Sequence, residues 1–542
     1  MTTVDPHVTG AGAVAGTGVR ADGTVAAVAD WITTTDHKRI GRLFMGTSLL
    51  VLLAVAVIGA LLGFERVDAT ADAFDSGALP QMFWLYRIGL TLGAVVPLGL
   101  GLAIAVVPLQ LGARALAFAR VASAGFYTWL VGTGLVIGSI IANGGPGGGD
   151  SDMVDLFLGG LVLMAIGLTA AAGSVAVSVL TTRVPGMNMR RVPLFAWSAL
   201  VQSLGLLLAL PVLVGTSVLV WVDHTYSRST FGGNLGVGSW IGFAFTQPAT
   251  ILYAVPVAGL VLDAAATATR RRPAMRGLAL IGIGLVATGF LAGVAQVDAA
   301  LPRDIVDKSF GNAVEDIVPW AVLNLLPLLG GVVVLAALGA ILRNRPRLFA
   351  PMIFGVLALL MLLAGIAGNV LYQIGDAQLT GTVFEEGAWI YVCYATVLAV
   401  MGGVVYWGPK LWGRTMDAMK AIPIALLGTL GTVLASLPYY VAGFAKQPGG
   451  VTQFDYDGPQ DLWNVLAGIG HALVVLTVLA FVGLAISSFR SGPLAGDDPF
   501  DGQTLEWATT SPAPADNFAE LHAISSAEPL LDLKPSRDGG TA

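Results

Sequence analysis

The chain has 542 residues, of which 55% are hydrophobic and only 11% charged, with a mean hydropathy of +0.78 and a formal net charge of −6. That balance excludes an ordinary soluble domain and gives no sign of a nucleic-acid partner; it predicts an all-α protein that crosses a membrane many times. The single cysteine, Cys393, lies in an apolar run, which excludes a disulfide framework or a cysteine-rich metal centre.

Residues 1–30 are rich in Gly, Ala, Thr and Val without period and read as a disordered N-terminal tail without the basic start of a signal peptide. Apolar runs follow at roughly 40–64, 83–111, 121–143, 154–182, 193–222 and 236–266, then at roughly 275–297, 317–342, 349–374, 386–408, 421–445 and 461–489. Each supplies the ~20 residues that a span needs, so twelve transmembrane helices are predicted in a membrane domain over 31–490. Residues 491–542 are polar and Pro-rich and read as a C-terminal tail.

Basic and acidic loops alternate. Arg114 and Arg120, Arg190 and Arg191, Arg270 to Arg272, Arg343 to Arg347, and Lys410 to Lys420 fall on one side; Asp68 to Asp75, Asp150 to Asp155, and Asp304 to Asp316 fall on the other. Basic loops stay in the cytoplasm, which predicts both termini cytoplasmic in a multi-pass protein. Arginine far outnumbers lysine and Ala, Gly and Val dominate, which points to a GC-rich bacterial genome and a bacterial plasma membrane.

Three stretches carry a resemblance. VPGMNMRRVPLFAWS with LLLALPVLVG (Val184 to Gly215), WITTTDHKRIG (Trp31 to Gly41) and TLEWATTSPAPADNF (Thr504 to Phe518) resemble subunit I of the haem-copper oxidases, over nearly the whole chain. The resemblance implies a twelve-helix bundle, two haems, an active-site copper, and subunit II-like and III-like neighbours. The family holds those groups with six histidines, whose imidazoles few side chains replace. This chain has five: His7 and His522 in the tails, His37 and His224 in loops, and His471 in a helix, read as a packed, hydrogen-bonded core residue.

By the resemblance, VPLQLGARALAF and Pro97 set Tyr86 at an axial haem histidine. TQPATI sets Gln247 at a copper histidine, Ala249 at the proton-carrying glutamate and Ile251 at the cross-linked tyrosine. Ala295 and Gln296 match the paired copper histidines, and LTGTVFEEGAWIYV sets Ala388 and Ile390 at the two haem histidines of the tenth helix. Ala115 and Leu323 match two proton-path groups, and Gly449 and Gly450 match the arginines that hold haem propionates. The expectation is a subunit I-like protein of a respiratory-type complex with neither haem nor copper, a pseudo-oxidase with a structural or assembly role. The alternatives are an oxidase with atypical ligands and a transporter or channel reusing the interior. Tyr86, Trp320 and Trp389 are expected to refill the haem space partly, leaving a pocket at Gln247, Gln296 and Ala388 for a lipid or quinone.

Overall fold

The computed structural model describes residues 29–67, 78–297, 299–452, 454, 459–520 and 523–533. Most of the N-terminal tail, His7, His522 and the acidic stretch Asp68 to Asp75 lie outside them. Contacts divide the chain after Thr34: residues 29–32 form one helical turn, and the described residues from Thr35 onwards form a single unit.

Among the described residues, twelve helices are long and apolar enough to cross a membrane. They are α1 (His37–Glu65), α2 (Ala78–Gln110), α3 (Ala119–Ile141), α4 (Ser151–Thr181), α5 (Leu194–Thr225) and α6 (Gly236–Thr269). The second half holds α7 (Arg276–Ala295), α8 (Phe310–Leu342), α9 (Ala350–Tyr372), α10 (Phe384–Trp412), α11 (Ala418–Phe444) and α12 (Gln460–Ser491). Asp36, Asp150 and Asp417 cap α1, α4 and α11, each accepting from a backbone N–H of the first turn.

The apolar stretches of α2 and α10 are buried throughout and that of α6 over 94%, whereas the other nine helices bury 28–56%. Helices that are apolar all round belong in the interior, so α2, α6 and α10 form a core and the rest a lipid-facing ring. Tyr86, Gln247, Ala249, Ile251, Ala388 and Ile390 all lie on these three helices.

The bundle is not regular inside. α2 widens to a π-turn at Gly89–Val95 and α8 at Ala321–Leu325, while α6 and α7 tighten to 3₁₀ turns at Ala249–Ala254 and Ala287–Phe290. Proline explains both π-turns. Pro97 and Pro327 stand five residues beyond Leu92 and Val322 and lack the N–H those carbonyls would accept. Side chains replace it: Trp129 Nε1 donates to Leu92 O at 2.9 Å, and Thr288 Oγ1 to Val322 O at 3.0 Å. In α6, Tyr253 OH likewise donates to Ala244 O, four residues before Pro248, at 2.7 Å. Broken backbone persists at membrane depth only where protein satisfies it in this way.

After α12 the chain folds back over one end of the bundle. Lys410 Nζ donates to Asp497 O and Thr509 O at 2.6 Å each, and Asn517 Nδ2 donates to Ala113 O at 2.8 Å.

Candidate functional site

Tyr86 is 1% exposed on α2, and its ring meets Trp389 edge-on at 5.2 Å and His471 at 5.7 Å. His471 is indeed a packed residue whose Nδ1 is 3.0 Å from the Tyr394 hydroxyl. Gly59 of α1 leaves the room these rings take: a Cβ there would stand 2.8 Å from Tyr86 and 3.1 Å from His471. Nearby, Tyr440 stacks on Phe384 at 4.4 Å and donates to Ala364 O at 2.9 Å, and a Cβ on Gly368 would collide with its hydroxyl. Ala388 and Ile390 are fully buried on α10. Tyr86 and Trp389 thus pack together between α2, α10 and α12. Trp320 does not join them; it stays half-buried on α8.

Two buried ion pairs complete this region. Both oxygens of Glu386 accept from Arg66, at 2.9 and 3.1 Å, and the guanidinium lies 4.8 Å from the Phe83 ring centroid and 5.3 Å from that of Tyr439. Glu385 is held in the same two-pronged way by Arg87, which also donates to Phe245 O and lies 5.1 Å over Trp389. Both acids stand in the first turn of α10, 9% and 6% exposed. The missed signal was charge balance: two adjacent acids opening an apolar helix require two cations, and Arg66 closes the first apolar stretch of the chain while Arg87 interrupts the second.

Gln247, Ala249 and Ile251 lie on α6 and Ala295 and Gln296 at the end of α7; the Gln247 N–H joins them to the ion pairs by donating to Glu385 at 3.3 Å. Gln247 and Ala249 are buried, as is Ile251, while Ala295 and Gln296 are exposed. Gln247, Ala249 and Gln296 line a cleft of ≈370 Å³. Ala388 does not line it, because that residue is enclosed on α10. Gln296 ends α7 in the left-handed region (φ +51°) and donates to Thr216 Oγ1 at 3.4 Å. Neither amide atom of Gln247 has a protein partner. Leu323 is buried in the π-turn of α8; Ala115 is exposed in the α2–α3 loop; Gly449 is half-buried and Gly450, at φ +72°, is exposed.

A third polar cluster, absent from the sequence reading, lies under the C-terminal segment. Gln110 Nε2 donates to Asp263 Oδ2 and to Glu506 Oε1, both at 3.2 Å, and Trp407 Nε1 donates to Glu506 at 3.1 Å. Asp263 also accepts from Leu194 N and Phe195 N, so it caps the start of α5. Glu506 is fully buried, and that burial pushes its carboxyl up to about 7.

Among the described residues, no three His, Cys, Asp or Glu side chains are placed to hold a metal ion. Tyr86, with rings packed on two sides, and Gln247 with Gln296, which offer only weak amide oxygens, do not fit the family's histidine-ligated haem and copper at these positions.

The chain matches the family described as cytochrome c and quinol oxidase polypeptide I over residues 39–486. It is 28% identical to a Streptomyces coelicolor protein named as a cytochrome c oxidase subunit 1-beta, over 94% of this chain and 91% of that one. It is 24% identical to quinol oxidase subunit 1 of Bacillus subtilis, over 94% and 81%. A solved haem-copper terminal oxidase shares the fold with a TM-score of 0.64 at 12% identity, over 84% of this chain and 85% of that one. These matches overturn the expectation that the chain has no cofactor, and with it the lipid or quinone offered in place of one. The family is one of haem and copper proteins, and unsuitable side chains at the inherited ligand positions do not extend to the whole chain. Twelve helices in the oxidase arrangement and a match from the first span into the last place the chain in the cytochrome c and quinol oxidase polypeptide I family.

Proposed function

We propose that the chain serves as a structural or assembly subunit of a respiratory-type membrane complex, with oxygen reduction carried elsewhere in that complex. The observation that supports this is the packing at the α2–α10–α12 junction, where Tyr86, Trp389 and the Arg66–Glu386 and Arg87–Glu385 pairs occupy the space between helices. On this reading Tyr86, Gln247, Ala295, Gln296, Ala388 and Ile390 stand where the family has its metal ligands. Ala115, Ala249, Ile251 and Leu323 stand at its proton-path groups, and Gly449 and Gly450 at its propionate arginines. The partners are subunit II-like and III-like membrane proteins. The membrane domain spans 31–490, and the chain sits in a bacterial plasma membrane with residues 1–30 and 491–542 in the cytoplasm.

The test is purification from native membranes through a tag on this chain, followed by subunit identification and oxygen-uptake measurements. Co-purification of oxidase-type subunits, and loss of the assembled complex when this chain is deleted, is the expected result. Oxygen uptake by the isolated chain, with a haemochrome spectrum and stoichiometric copper, would replace the reading with an oxidase that uses other ligands.

A further inference from the structure

α8 is longer than a bilayer needs. Its 33 residues measure about 50 Å, against the ~30 Å of a hydrocarbon core. The uncharged stretch from Pro319 to Leu342 supplies about 35 Å by itself, and Glu315 and Asp316 stand in the turns before it, where carboxylates would be expelled from hydrocarbon. The neighbouring helices fix the same level. Asn324 Nδ2 donates to Ala299 O at 2.9 Å and Asn369 Nδ2 to Asn324 Oδ1 at 2.8 Å, so Asn324 stands beside the last turn of α9 and past the end of α7. The 11 residues of Phe310–Trp320 therefore project beyond both neighbours, by about 16 Å of helix. None of these residues is buried, and among the described residues their sizeable contacts are only with the continuation of α8 and with the turn Arg303–Val306.

The projecting turns are nonetheless amphipathic. Phe310, Ala313, Val314, Ile317 and Val318 recur at i, i+3, i+4, i+7 and i+8 and form one apolar stripe, with Phe310 and the preceding Val306 each 88% exposed. Glu315 and Asp316 flank the stripe on its two sides. Lys308 Nζ holds Asp316 at 2.7 Å and lies 3.6 Å from Asp304, whereas Glu315 and Asp307 meet no cation among the described residues. Hydrocarbon ends below this level, so lipid chains do not cover the stripe. A contiguous apolar face outside the membrane marks a protein contact, and its unmatched acids select a partner of opposite sign. Three helical turns with side chains three and four apart present the ridge against which a second helix packs. We propose that the projecting start of α8 docks an amphipathic helix of a partner protein outside the hydrocarbon core, with the partner's apolar face on Phe310, Val314 and Ile317 and its Lys or Arg side chains against Glu315. The proposal stands on the exposed helix and is independent of whether the chain has an assembly role.

The experiment places the photo-cross-linker p-benzoylphenylalanine at single positions of the full chain in its native membranes. Val314→p-benzoylphenylalanine and Ile317→p-benzoylphenylalanine are expected to capture the same protein, and the same replacement at Asn312, on the opposite face, to give roughly a tenth of that yield or less. The captured peptide should carry apolar residues at helical spacing beside Lys or Arg. Glu315→Lys should lower the yield about fivefold, and reversing the captured basic residue to Glu should restore it. Because the stretch buries no residue, these variants should melt with the parent chain, which separates lost docking from lost folding. No product at Val314 or Ile317, equal yield at Asn312, capture only of lipid or of a second copy of this chain, or failure of the charge swap would overturn the proposal. Co-purification of oxidase-type subunits without a product on the stripe would remove this docking surface and leave the assembly role standing.

Discussion

Arg66 and Glu386 are separated by 320 residues, and each is an expensive group to bury without the other. Arg66→Met should therefore cost about 3–5 kcal/mol by stranding the carboxylate, whereas Arg66→Met with Glu386→Leu should recover most of that loss. Melting temperatures of the two variants decide it; equal losses would mean that the pair is not coupled. Glu506 supplies a pH effect. Below pH 4.5 its carboxyl is protonated in the folded and unfolded chain alike; between 4.5 and about 7 only the folded chain keeps the proton, so this group makes stability fall as pH rises through that window and level off above it. Glu506→Gln keeps an acceptor for Trp407 and should remove a decline on the order of 3 kcal/mol. Melting at pH 5 and pH 8 in both proteins checks this, and identical pH slopes would refute it. Tyr86 and His471 were legible because a motif or a lone position in an apolar run marked them. The ion pairs and the Gln110–Asp263–Glu506 bridge were not, since contacts across 153 to 396 residues leave no local trace.

The twelve spans were readable from apolar length alone, because in lipid a helix must satisfy its own backbone. The breaks within them were not. A proline announces a lost N–H, but whether the chain answers with a π-turn, a 3₁₀ turn or a kink depends on a donor from another helix, such as Trp129 for Leu92 or Thr288 for Val322. Close helix contact is a second property of this scale. A Cβ on Gly167 would stand 2.5 Å from Gly125 O and from Trp129 N, so α3 and α4 touch through their backbones. Gly167→Val must push the two helices apart and disturb the indole that completes α2 at Leu92. The expected result is a fall of several degrees in melting temperature and faster proteolysis in the α3–α4 loop. Gly134→Val on the partner helix α3 faces open space and should leave both unchanged; equal effects at the two glycines would show that close packing does not govern this pair.

The molecule as a whole has one end where its basic loops gather. The C-terminal segment supplies their counter-charges: Arg270 pairs with Asp501 at 3.0 Å, Arg276 with Glu528 at 2.9 Å, and Arg272 with Asp532. The start of α1 reaches the same segment, with His37 Nε2 3.0 Å from Asn517 Oδ1 and Lys38 Nζ donating to Pro514 O at 3.0 Å. An even number of spans requires that coincidence, so helix count and side-chain contacts agree on a common end for α1 and the chain that follows α12. Basic loops are retained in the cytoplasm, which makes the inside the expected side for this end. The measurement is labelling with a membrane-impermeant thiol reagent in intact cells. Cys393 is buried and should stay silent, so single cysteines introduced at the exposed positions Asp152 and Arg271 report separately. Asp152→Cys should label from outside and Arg271→Cys only after the cells are opened. Labelling of both from outside would break the inference from charge to sidedness; labelling of Arg271→Cys alone from outside would invert the molecule, carrying the C-terminal segment and its ion pairs to the other face.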